Sequence, residues 1–210
     1  MVYLGPSLSV ARAQTILDAE YRPPIRRGDL PRDLAAGFRV FGIVDGVFHQ
    51  DLSVSVREIR RAIEAGAKLY GSSSMGALRA AETYPLGMEG IGEIYRWYRE
   101  EVVDSDDEVA LTFDPETGRP LSLPLVNVRA TLREALSRGS LERGVHDAIL
   151  KATVALPFPR RNPENIRLAL HEAGMKEAAE RALAVLSRDG VDLKARDAEA
   201  LLRRIAEAHA

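Results

Sequence analysis

"FRVFGIVDG", residues 38–46, decides how the chain reads. Phe38, Val40, Phe41, Ile43 and Val44 leave neither alternation of the segment polar. A strand with this pattern is covered on both faces, as in a parallel sheet between helices; an antiparallel sheet with one wet face would show a polar residue at every second place. The chain must leave the sheet at Asp45 and Gly46, whose residue types suit a turn.

The flanks continue the pattern. In "VREIRRAIEAGA", residues 56–67, Val56, Ile59, Ala62 and Ile63 share one helical face, with charges opposite and Gly66 near the end. "KLYGSS" (68–73) predicts a further strand, and "MGALRAAETY" (75–84) a helix stopped by Pro85, which lacks an amide donor and clashes with the preceding turn. Upstream, residues 2–4 predict a strand closed by Gly5 and Pro6, then a helix in "SLSVARAQTILDAEY" (7–21) and a basic-edged loop in "RPPIRRGDLP" (22–31). Downstream, "LGMEGIG" (86–92) reads as a link to a helix whose Ile94, Trp97 and Tyr98 are core anchors. An acidic stretch then enters a short strand at 109–113, a helix begins near Pro124, and from Leu141 amphipathic helices follow one another. The expectation is an α/β fold: a small parallel sheet flanked by helices in a Rossmann-like three-layer core over residues 1–140, with a C-terminal helical segment over 141–210.

Composition narrows the function. The 210 residues carry 29 Lys and Arg against 31 Asp and Glu, so no long-range positive field exists to collect nucleic acid or an anionic membrane. No apolar run reaches spanning length, and the first residues lack the basic-then-apolar pattern of a signal peptide, which predicts a cytoplasmic protein. With no cysteine, disulfides, thiolate metal sites and a Cys nucleophile are excluded, so covalent chemistry must use oxygen or nitrogen. No motif calls for a cofactor or metal. Gly87, Gly90 and Gly92 have the reverse of dinucleotide-loop spacing, no Walker lysine stands near Ser74, and the acidic run 104–108 has Val109 where a calcium loop needs glycine.

In a parallel sheet, ligands gather at the C-terminal ends of the strands. Three loops are predicted to meet there: "LGPSLS" (4–9), "DGVFHQ" (45–50) and "GSSSMG" (71–76). Ser72, Ser73 and Ser74 before Gly76 partly match the nucleophile elbow G-x-S-x-G, lacking its first glycine. The same serines suit a helix cap or an anion cradle. His49 falls in a loop predicted to end near them and could activate a hydroxyl; Asp45, four residues earlier, could orient its imidazole or simply serve the turn. Arg79 and Glu82 are either a surface ion pair or, for Arg79, a fork for a carboxylate. Gly5 and Ser7 complete the substrate-facing set.

The strings "VYLGPSLSVARAQTILDAEYRPPIRRGDL", "FGIVDGVFHQDLSVSVREIRRAIEAGAKLYGSSSMGALRAAE" and "DDEVALTFDPETGRPLSLPLVNVRATL", together spanning about residues 2–132, resemble the core of the TfuA-like family. The resemblance implies a partner of a YcaO-family enzyme in peptide backbone thioamidation, as in thioviridamide-type peptides and the thioglycine of methyl-coenzyme M reductase. It further implies sulfur supply, by hydrolysis of the C-terminal thiocarboxylate of a ThiS-like sulfur-carrier protein. On that reading Ser74 attacks the acyl carbon with His49 as base, or His49 activates water while the serines bind. Asn127 and Arg129 either line the cleft or hold the partner. A non-catalytic adaptor that docks the YcaO enzyme and presents the carrier is the competing expectation, and a small-molecule or nucleotide sensor a third. The amphipathic C-terminal helices suit packing on the sheet and a partner surface equally, and a homo-oligomer is a separate expectation.

Overall fold

The computed structural model describes residues 1–48, 52–114, 116–188 and 190–209. Its strands are β1 (Val2–Tyr3), β2 (Tyr21–Arg22), β3 (Val40–Ile43), β4 (Lys68–Ser72) and β5 (Glu89–Ile91). Its helices are α1 (Val10–Gln14), α2 (Asp29–Ala35), α3 (Val56–Glu64), α4 (Met75–Thr83), α5 (Glu93–Arg99), α6 (Leu125–Ser137), α7 (Arg143–Ala155), α8 (Pro163–Glu172), α9 (Lys176–Arg188) and α10 (Leu193–Ala208). No described helix is long and apolar enough to cross a membrane.

The five strands form one parallel sheet in the order β2-β1-β3-β4-β5. The step from β1 to β2 runs one way across the sheet and every later step runs the other. Right-handed crossovers therefore put α1 on one face and α2, α3 and α4 on the opposite face. The side chains agree: Tyr3, Phe41, Ile43 and Leu69 pack with Leu30, Ile59, Ala62 and Ala80. Val2, Leu4, Val44 and Tyr70 pack with Ala13 of α1 and with Ala198, Leu201, Leu202 and Ile205 of α10. This double cover is what the two-sided apolar pattern of residues 38–46 requires, and the fold is the expected α/β sheet between helices. At Gly42 the α10 side chains come so close that an added Cβ would lie 2.9 Å from Ile205.

Contacts gather the chain into two units that do not coincide with a division at residue 140. One comprises residues 1–106 with 193–210, the other residues 107–192. The second unit is helical, with Leu132, Ile149, Ile166, Leu170 and Ala182 in its core. Its Arg161 is fully buried, ion-paired with Asp107 and donating to the carbonyls of Leu156 and Asp107.

Several local expectations are corrected. The helix predicted over 7–21 stops at Gln14, and Tyr21 enters β2. The supposed loop over 22–31 contains the start of α2, entered through Gly28 in the left-handed region. The glycine-rich link hides β5. The strand expected at 109–113 reduces to a single bridge between Phe113 and Pro120, because the preceding residues 106–108 turn into a 3-10 helix.

Candidate functional site

The strand order reverses between β1 and β3, and an open parallel sheet offers a crevice beyond the strand ends at such a point. Asp45, just past β3, is buried there. Its carboxylate accepts the amides of Gly5 and Ser7 at 2.8 and 3.1 Å and the Ser7 hydroxyl at 2.6 Å. The loop after β1 is thereby pinned to the loop after β3.

The serine turn is pinned to the same place from the other side. The Gly76 amide donates to the Val44 carbonyl at 3.2 Å. A Cβ on Gly76 would lie 2.6 Å from the Ile43 carbonyl carbon and closer still to its oxygen, so only glycine lets α4 start this near β3. A Cβ on Gly46 would lie 2.7 Å from the Met75 side chain. The three loops expected to converge do so among the described residues.

The three serines have different surroundings. Ser72 and Ser73 are fully buried, and their hydroxyls donate to the carbonyls of Asp197 and Lys194 at 2.8 and 2.9 Å, fastening the first turn of α10 to the turn. Ser73 has φ 66°, a left-handed conformation that costs a β-carbon residue roughly 1–2 kcal/mol. Ser74 is the N-cap residue of α4 and only 2% exposed, yet its hydroxyl makes no cap bond and no other hydrogen bond among the described residues. The Met75 amide that follows it has no acceptor there either. The turn thus presents one uncommitted hydroxyl and one uncommitted amide, adjacent in sequence, at the N-terminus of a helix.

Arg79 lies one turn further along α4. Its Nε donates to the Val54 carbonyl at 2.8 Å and its Nη1 to Glu82 at 2.6 Å. The ion pair, one of the two alternatives for Arg79 and Glu82, is formed, and the arginine also braces the segment that leads into α3. Asn127 and Arg129 belong to the second unit, where Asn127 donates to Asp192 at 3.1 Å and Arg129 forks onto Glu108 at 2.9 and 2.7 Å. His49 lies outside the described residues.

Two residues behind the turn escaped sequence reasoning. Lys194 is buried at the start of α10. Asp197 is buried too, and its carboxylate accepts the Glu93 and Ile94 amides at 3.0 and 2.8 Å, capping α5. Burial pushes its carboxyl up to about 6, against the pull of those two amides. Nothing in "VDLKARDAEA" marks these positions, since their neighbours are supplied by a segment 100 or more residues away. A separate cleft of about 460 Å³, lined by Leu17, Asp18, Val40 and His209 among others, opens at the N-terminal ends of the strands and contains none of the candidate residues.

No curated protein matches the chain. The family model for TfuA-like proteins matches residues 45–162, which takes in Asp45, the serine turn and Arg79 and extends into the second unit. It begins later and ends later than the stretch from which the resemblance was drawn. With more than half of its length matched, the chain belongs to the TfuA-like protein family.

Proposed function

We propose that this TfuA-like protein is a hydrolase that cleaves the C-terminal thiocarboxylate of a ThiS-like sulfur-carrier protein, supplying sulfide to a YcaO-family enzyme for backbone thioamidation. The observation that carries the reading is the contrast within the serine turn: two hydroxyls are bonded to α10, while the Ser74 hydroxyl and the adjacent Met75 amide have no partner among the described residues. In a strand–turn–helix nucleophile elbow, the amide after the nucleophile stabilises the developing oxyanion. The helix N-terminus adds a favourable field for an anionic tail.

In the first step Ser74 Oγ bonds to the acyl carbon and its proton passes to the base, which hands it to the sulfur as the C–S bond breaks, so that hydrosulfide leaves and the base is restored. Water then attacks the acyl ester, giving the carrier's carboxylate and restoring the hydroxyl. His49 is the base assigned by sequence position. Asp45 acts as a positioning residue by holding the Gly5–Ser7 loop at the crevice.

The test is to incubate the protein with a thiocarboxylated carrier and follow conversion to the carboxylate by mass, with sulfide trapped in parallel. Wild type should release sulfide, and Ser74→Ala and His49→Ala should each lose on the order of 100-fold or more in rate. Absence of release above buffer by wild type rejects the hydrolase. Release unchanged in both variants moves the function to presentation of the carrier by a non-catalytic adaptor.

A further inference from the structure

Most arginines with a described side-chain partner in the first unit are spent on carboxylates. Arg12 and Arg203 pair with Glu199, Arg204 with Glu89, Arg79 with Glu82, and Arg32 with Asp29 and Asp33. One surface departs from this habit. Arg57, Arg60 and Arg61 form a row at i, i+3 and i+4 along the exposed side of α3, and none of them makes an ion pair among the described residues. Like charges at this spacing destabilise a helix slightly, so the row runs against folding. Arg26 extends it: the Gly28 amide donates to Glu58 of α3 at 2.6 Å, which sets the exposed loop carrying Arg26 at the N-terminal end of the row. Glu58 makes no ion pair with the row among the described residues, its carboxylate instead accepting the Gly28 amide and the amide and hydroxyl of Ser55.

The row is joined to the serine turn by a short chain of contacts. Ile25 exchanges backbone hydrogen bonds with Asp45 and Val47, and both Ile25 and Met75 crowd the Cα of Gly46. Arg26 thus flanks the loops that bound the candidate site. The occupant follows from charge. The chain as a whole is slightly acidic, which disfavours polyanionic nucleic acid, whereas a compact acidic protein face needs only the local row. Leu52, 48% exposed and accepting the Arg27 amide through its carbonyl, supplies an apolar point beside the cations, as a protein interface requires.

We infer that the arginine row of α3 with the loop carrying Arg26 is the docking surface for an acidic face of the protein whose tail enters the serine turn. This rests on the reading of that turn as the hydrolytic site, and it places specificity for the protein substrate outside the catalytic loops. The experiment compares wild type with the double variant Arg57→Glu/Arg60→Glu, and with Arg57→Gln/Arg60→Gln as the neutral form, each first checked for an unchanged Trp97 fluorescence melt.

Binding of a ThiS-like carrier ending in a plain carboxylate is measured by calorimetry at low and high salt. Sulfide release is measured from the thiocarboxylated carrier and from a short peptide thiocarboxylate bearing only its tail. Charge reversal should weaken carrier binding by on the order of 10- to 100-fold and abolish its salt dependence, with the neutral variant intermediate, and should leave release from the tail peptide unchanged. Carrier binding unaffected by reversal overturns the inference, as does a loss confined to binding of duplex RNA or anionic vesicles. Salt-dependent carrier binding lost on reversal, with no sulfide from either probe in wild type, would uphold the surface and reject the hydrolase.

Discussion

Replacing Gly76 by alanine tests the geometry on which the serine turn depends. The added Cβ would stand 2.6 Å from the Ile43 carbonyl carbon and 3.3 Å from the Val44 amide, with the Ile43 oxygen nearer than either. All three are backbone atoms at the end of the central strand or of the residue after it, so no side chain can swing aside. The start of α4 must therefore withdraw from β3 by roughly 1 Å, the scale of overpacking that costs about 1–3 kcal/mol. Withdrawal also breaks the 3.2 Å bond from the Gly76 amide to Val44, leaving a buried acceptor unpaired at about 1–3 kcal/mol more. The sum is about 4 kcal/mol, a large share of the stability of an ordinary domain. Trp97, the one tryptophan, is buried in α5 within the same unit, so its fluorescence reports unfolding there. A fall in melting temperature on the order of 10 °C or failure to fold is expected. A Gly76→Ala protein melting within about 1 °C of wild type would refute the packing of α4 on β3, and with it the placement of Ser74.

The same substitution at Gly144 should have the opposite sign: an added Cβ meets nothing within 4 Å inside α7, and alanine should raise stability by about 0.5 kcal/mol in urea titrations of the second unit. Ser73→Ala and Ser72→Ala should each cost about 1 kcal/mol by losing a hydrogen bond to α10, whereas Ser74→Ala should move the melt by less than about 0.5 kcal/mol; equal costs at all three would contradict the division of labour in the turn. Asp197 has a carboxyl raised to about 6 in the folded chain against an ordinary aspartate, so the folded state binds the proton more tightly. Its contribution is fully present below the unfolded value and lost as pH rises through about 6, on the order of 3 kcal/mol across the window. Asp197→Asn should therefore flatten the pH dependence of stability between about pH 4 and 6, and an unchanged slope would rule out the shift.

What could be read from the chain alone was the part encoded by local pattern. Residues 38–46 carry their burial on both faces, α3 carries its apolar stripe, and Pro124 marks the start of α6. β2 and β5 were missed for a physical reason: each is two or three residues long and is held as a strand by neighbours, Tyr21 by Val2 and Ile91 by Ser72, not by periodicity of its own. The candidate site divides the same way. Convergence of the loops follows from parallel topology and was legible; which serine lacks a partner among the described residues was not, because the hydroxyls of Ser72 and Ser73 donate to carbonyls more than 100 residues downstream.

The return of α10 has a cause in the topology itself. Because only the β1–β2 step runs backwards across the sheet, successive crossovers stack α2, α3 and α4 on one face and leave α1 alone to cover the other. α1 is five residues long, too short to cover β3, β4 and β5. That face still presents Val44 and Tyr70, and leaving them wet would forfeit about 25 cal/mol for each Å² of apolar surface. The chain fills the gap with its last helix, whose Leu201 and Ile205 sit over Gly42. Once α10 lies there, its first turn faces the end of β4, and the cheapest way to fix it is to bond its carbonyls with hydroxyls from the turn that follows. Two serines of the triplet are thus explained by the fold, and the third stands out as the residue for which packing gives no use.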